Sequence, residues 1–444
     1  TWYTSPETEG EYVIQNKGDL LGFLSLAKNG ETFEEKTIKL GANITLNEPN
    51  VKDWAAGKAV PTYIWTPVTM KGNFDAQGHS ISGVYVKSSA KYVGFFGTTA
   101  GGSSIKNFRL IDSYIEQSDT SGEWDYYTGS VVGDASGDID NVYSNATVKS
   151  LKRYYVGGIA GYVRPASNTD GKLTISNCWF DGTIDLADSV GYVGGIVARQ
   201  HNGKLYFENV LHTGYIKANP STYKFIGGIL GTNNVAEGME THFESVVSGG
   251  TYDIPNGTDH IGSVVGYLHN GFINDKTLNV APVNPKYSFN NVFTTRGWGN
   301  TFSKGAIQGT GGTTDANGTN AGLTSTMTIT GQVVQTSNND RLIGYIGQNI
   351  KDMTNSVELA VQKLDFTSAQ GWTLRTNDVP IPTVLKDAVN EKKLVTDMSA
   401  EALTNELGLS NIGASISAAV AEGAGDYVVE VSGTKTTYDS YLQF

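Results

Sequence analysis

Apolar and polar residues alternate over short stretches of this chain, and glycine punctuates the alternation at a recurring position. One element reads Tyr92-Val93-Gly94-Phe95-Phe96-Gly97 and returns as Tyr127-Thr128-Gly129-Ser130-Val131-Val132-Gly133, then Tyr155-Val156-Gly157-Gly158-Ile159-Ala160-Gly161. Further copies begin at Tyr192, Phe225 and His260, and a degenerate one spans Leu342 to Gly347. A second element, apolar-x-Asn-apolar, follows each of the first six copies. It places Asn107, Asn141, Asn177, Asn209, Ser245 and Asn291 in one column. Apolar residues alternate around each Asn, the period-two signature of a strand. A shorter alternating stretch, such as Thr183-Ile184-Asp185-Leu186, closes most units.

Three short strands per repeat, separated by turns, describe one rung of a coil whose strands pair with the rungs above and below. The spacing predicts an all-β solenoid, a right-handed parallel β-helix of eight to ten rungs. At a turn in such a coil an Asn amide bonds to nearby backbone and stacks into a ladder with its equivalents. The glycines mark corners where a Cβ would collide or where φ is positive. The interval from glycine element to Asn column varies from 8 to 25 residues, whereas the return interval stays between 20 and 26. Variable loops therefore leave one corner, at Arg164 to Lys172, Thr232 to Thr241 and Leu268 to Lys286. In solenoids, loops gathered on one face often form the binding face.

Composition sharpens this picture. Glycine is abundant at 54 of 444 residues, and the net charge of −12 disfavours nucleic acid or an anionic membrane as partner. Cys178 is the single cysteine, so no internal disulfide can form. No apolar run approaches the ~20 residues a spanning helix needs, and membrane insertion is not expected. No signal peptide precedes Thr1, which is read as processing of an exported protein.

The two repeat elements, the lead-in from Tyr12 to Leu46 and the motif Gly72-Asn73-Phe74-Asp75-Ala76-Gln77-Gly78-His79-Ser80-Ile81-Ser82-Gly83 resemble the GLUG-repeat proteins over residues 11 to 385. That resemblance implies a parallel β-helix in a large secreted or surface-attached bacterial protein. Two departures are Ala198 in place of a glycine and the long gap between Gly266 and Gly347.

Residues 1–50 read as a small α/β cap, strand-helix-strand. The segment Asp19 to Ala27 has helical spacing, and Asn29-Gly30 supplies the stop. Residues 51–387 form the repeat region, with loops expected over Trp298 to Asn339 and an end at Pro380-Ile381-Pro382-Thr383. Residues 388–444 form a small α+β domain or cap, with a helix at Ser399 to Leu407 and a strand at Asp426 to Val431.

The aromatic column Tyr92, Tyr127, Tyr155, Tyr192 and Phe225 is the candidate ligand-binding feature, because exposed stacked rings can pack against sugars. Stacking purely for stability is its plainer explanation. Asp134, Asp138 and Asp140 are close enough in sequence to gather around calcium but read as solvated carboxylates; Lys106, Arg109 and Asp112 have residue types a lyase uses but read as strand decoration. The six His residues form no zinc motif, no nucleophile elbow is present, and Cys178 reads as a buried apolar residue. The expectation is therefore a non-enzymatic, extracellular bacterial surface or adhesin module. It needs no cofactor or metal, is monomeric, and takes glycans or surface proteins as partners. A glycan-binding module is the second reading and a polysaccharide-cleaving enzyme the third.

Overall fold

Each turn of the chain carries four strands rather than the three expected from the sequence. One turn runs Ser104–Ile111, Tyr114–Gln117, Tyr127–Gly129 and Val132–Ala135, before Asp138–Ser144 opens the next. The extra strand arises because the glycine element does not form one strand. It bends in its middle and contributes to two sheets. The computed structural model describes residues 2–4, 9–121, 125–151, 155–186, 191–218, 225–234, 236–254, 261–268, 286–294, 304–305, 328–335, 350–353, 366–375, 378–390, 416–422, 426–431 and 434–438.

Strands at equivalent positions pair in parallel, giving a β-solenoid with four sheets, here I to IV in the order the chain visits them. Among the described residues sheet I has thirteen strands, sheet II six, and sheets III and IV seven each. Six turns thus carry all four strands. The further rungs expected from the sequence would fall after residue 294, where few residues are described. The register aligns like with like. Ile105, Ile139, Ile175, Phe207, Phe243 and Phe289 form one interior file. The rings of Phe207, Phe243 and Phe289 stack at 5.1 and 4.8 Å. Burying each such ring contributes roughly 1.5–3 kcal/mol.

The Asn column does lie one residue above the next, and its geometry explains the residue choice. Asn107, Asn141, Asn177, Asn209, Ser245 and Asn291 all have φ between 51° and 57°. This left-handed conformation is one that Asn tolerates better than most residues. It bends each long strand of sheet I and shifts the alternation by one, so that the next residue enters the core, as Val142 and Cys178 do, and the one after it faces outward, as Tyr143 and Trp179 do. Asn141 donates to Asn107 (2.8 Å), Asn209 to Asn177 (3.4 Å) and Asn291 to Ser245 (3.0 Å). Asn177 instead donates to Asp140 at 2.8 Å.

At the N-terminal end, helix Lys17–Lys28 is capped by Asn16, whose side chain accepts from the Asp19 amide. Phe23 of this helix stacks on Phe33 and Trp65, which continue the interior core. The flanking strands Glu11–Ile14 and Thr37–Leu40 pair in parallel and extend sheet I.

The C-terminal part departs from expectation in two places. Thr328–Gln335, inside the stretch read as loops, is a strand of sheet I. The Pro380 region does not simply end the coil. Asp378–Pro382 pairs antiparallel with Trp372–Arg375, and this hairpin packs on the outside of sheet I. There Phe366, Trp372, Val379, Ile381 and Leu385 cover the outward file Tyr143, Trp179, Leu211, Val247 and Phe293, with Ile111 in the same cluster. Trp372 donates its indole N–H to Asn209 Oδ1 at 3.0 Å, and Arg109 bonds to the Val384 carbonyl at 3.1 Å. The strand Asp426–Val431 lies where the sequence places it, between Ile416–Glu422 and Thr434–Tyr438 in an antiparallel sheet. The predicted helix at Ser399 to Leu407 lies outside the described residues.

Candidate binding groove between sheets III and IV

The glycine element makes a sharp elbow between sheets III and IV. A Cβ on Gly157 would overlap the Ala160 carbonyl oxygen, and one on Gly194 the Val197 carbonyl oxygen. Neither glycine has positive φ, so close backbone approach, rather than an unusual dihedral, excludes larger residues here. Because Val93, Val156, Val193 and Ile226 enter the interior core, strand alternation turns their aromatic neighbours outward. The elbow brings these rings against the outward residues of sheet IV and forms a concave groove along the rod.

All five residues of the predicted aromatic column line this groove. Consecutive centroids lie 5.7 Å (Tyr92–Tyr127), 5.1 Å (Tyr127–Tyr155), 5.0 Å (Tyr155–Tyr192) and 5.1 Å (Tyr192–Phe225) apart. Tyr127 and Tyr155 are buried, whereas Tyr92, Tyr192 and Phe225 are partly exposed. Ring stacking therefore supports the coil, and it leaves aromatic surface at both ends of the file.

The opposite wall comes from sheet IV, and the sequence singled out only its Asp134, as a calcium candidate and not as part of a file. Thr98, Asp134, Tyr162, Arg199, Thr232 and Tyr267 occupy one register position. Each directly follows the last residue of a glycine element, so the repeat alignment already contained this second file. Tyr162 stacks on Tyr127 at 4.3 Å, and its hydroxyl lies 2.9 Å from His201 Nδ1. Arg164 bonds both Asp134 oxygens through Nε, at 3.0 and 2.8 Å, and lies over the Tyr162 ring at 4.8 Å. Arg199 donates to the Tyr155 hydroxyl (2.6 Å) and to Asn234 Oδ1 (3.3 Å). Its guanidinium lies over Tyr155 and Tyr192 at 5.5 and 5.7 Å.

Burial dominates the ionisation of this groove. It pushes Asp134 above the usual carboxylate range, an effect that Arg164 only partly offsets. Burial, then Arg164 and Arg199, push His201 down. The Tyr127 and Tyr162 hydroxyls are both driven up by burial.

The structure separates the other candidates. Asp134 is held by Arg164, whereas Asp138 Oδ1 accepts from Asn168 and the Thr174 amide, and Asp140 Oδ1 from Ser176 and Asn177. Among the described residues no group of three His, Cys, Asp or Glu could hold a metal ion. Lys106 pairs with Asp75 at 3.8 Å, Arg109 reaches the Asn141 carbonyl, and Asp112 accepts from Asn145. Cys178 is buried in the core, and burial pushes its thiol up.

A polar file on the outer face of sheet I was also missed. Glu240, His242 and Ser288 are linked there at 2.7 and 2.6 Å, with Tyr206 stacked on His242 at 4.4 Å. Ser288 lies in a central strand paired on both sides, so its neighbouring amides serve the ladders. A serine nucleophile requires amides aimed at a developing oxyanion, and this file does not supply them.

No protein-family model matches the chain, and no curated protein matches it. Among solved structures it is similar to a Bacteroides ovatus protein described as a "putative immunoglobulin A1 protease". That similarity has 16% identity and a TM-score of 0.49, covering 86% of this chain and 93% of the other.

Proposed function

We propose that this chain is a non-enzymatic adhesin-type module of the GLUG-repeat kind, exported to the surface or surroundings of a bacterium, whose β-solenoid offers a groove to glycans. The observation that carries this reading is the outward aromatic file set at rung spacing beside a second polar and aromatic wall. Sugar rings present C–H faces that pack on such rings, and hydroxyls that meet groups such as Asn234 and His201. The loops at the corner between sheets IV and I support the same reading. Among the described residues they bond to one another, the Gly102 amide donating to Asn168, the Ala166 amide to the Asn202 carbonyl and Asn234 to Asn202, and so form a rim beside the groove.

Glycan-array screening of the intact chain tests the proposal. Saturable binding that falls at least about tenfold in Tyr192→Ala, with the β-sheet circular dichroism unchanged, is the expected result. A chain that binds no glycan would instead be a structural spacer.

A further inference from the structure

Among the described residues Arg199 is a cation without a carboxylate. Two guanidiniums, Arg164 and Arg199, face this groove, and Asp134 pairs with Arg164 alone. Arg199 is contacted by neutral partners, the Tyr155 hydroxyl and the Asn234 amide oxygen. Its Nε is buried and meets no acceptor among the described residues. Of the five N–H donors a guanidinium offers, these two bonds engage two. Buried charges are normally paired, and this one lies in a chain of net charge −12, so the positive groove is a local feature. Tyr192 and Phe225, partly exposed and stacked 5.1 Å apart, continue the aromatic surface immediately beside it.

Resting on the glycan reading above, we propose that Arg199 forms an acid subsite, so that the groove selects carboxylate-bearing sugars over neutral ones. The sugar ring packs on Tyr192 and Phe225 while its carboxylate takes the remaining N–H donors of the Arg199 Nη1 and Nη2 nitrogens, whose planar fork matches that anion. Asn234 and Tyr155 hold the guanidinium in place for this contact.

The test uses matched pairs that differ only in charge: oligogalacturonate against its methyl ester, and sialyllactose against lactose, each titrated calorimetrically into the intact chain. In at least one pair the acid should bind about tenfold or more tightly than its neutral counterpart, the scale of a hydrogen bond to a charged group. Raising the salt concentration should weaken that preference. Arg199→Gln should abolish the preference of acid over neutral member, and Arg199→Lys should retain part of it. Equal binding of acid and neutral members, or a preference that survives Arg199→Gln, overturns the acid subsite but leaves glycan binding standing. Binding to neither member of any pair overturns both. The wild-type comparison and its salt dependence decide the matter even if Arg199→Gln fails to fold.

Discussion

His212 gives the sharpest test of how the interior is built. It lies fully buried in sheet I, in register with Phe180 on the preceding rung and Ser248 on the next. Its ring stacks on Phe180 at 6.1 Å and meets Tyr252 edge-on at 6.0 Å. Gly195 and Gly250 approach so closely that a Cβ on either would crowd the imidazole. Among the described residues neither ring nitrogen meets a hydrogen-bond partner, and no charged group perturbs it. Burial alone pushes its pKa from 6.5 to about 3. The folded chain therefore keeps His212 neutral, whereas the unfolded chain protonates it below 6.5. Stability is unaffected above that pH and falls as the pH drops from 6.5 towards 3. At about 1.4 kcal/mol per pH unit, the loss by pH 4.5 is about 3 kcal/mol. His212→Phe repeats the residue one rung earlier and removes the titration. Urea denaturation at pH 7.5 and 4.5 should show the variant losing about 3 kcal/mol less stability than the wild type between those pH values. Any packing cost of the larger ring applies equally at both pH values and cancels, as does the contribution of Asp134. Identical pH dependence in the two proteins would refute the claim that burial keeps this histidine neutral.

Two further outcomes follow from the backbone and the outer strap. Gly194→Ala forces a methyl group into the Val197 carbonyl and should cost more than about 3 kcal/mol; Gly171→Ala, at φ +66° with open space around it, should cost only about 1–2 kcal/mol in the same denaturation assay. Trp372→Ala removes a fully buried ring and its bond to Asn209, about 3–5 kcal/mol of local packing. Limited proteolysis should then cut within residues 366–388 while the sheet signal of the rod persists.

The sequence made the coil legible because its strongest signals are local. The Asn at each bend and the apolar residue on either side recur in register, and the structure stacks them as the spacing implied. The fourth strand was hidden by the same element that revealed the repeat. The run Tyr155 to Gly161 reads as one apolar stretch, and only the overlap of Gly157 with Ala160 shows that the chain must turn there. The strap over sheet I was hidden for a different reason. Tyr143, Trp179, Leu211, Val247 and Phe293 continue an alternating strand in sequence, so they read as core. The left-handed Asn reverses their direction and creates an outward apolar file that needs a cover. The wall containing Arg199 was missed because its residue type changes from rung to rung, from Thr98 to Asp134 to Tyr162.

That variation is the reason for placing function in this elbow rather than on the flat faces. The glycines are fixed by backbone approach, and the interior file is fixed by packing, so neither can change freely without unfolding the rung. The elbow converts that rigidity into a concave surface whose two walls sit at constant separation along the rod. On one wall the aromatic residue recurs and stacks, supplying an apolar floor; on the other, one outward position per rung carries a hydroxyl, a carboxylate, a phenol or a guanidinium without disturbing the coil. A scaffold with a constant floor and a variable wall can alter what it binds by single substitutions at residues such as Asp134, Tyr162 and Arg199. Under the proposed glycan reading, selectivity is then set one residue per turn.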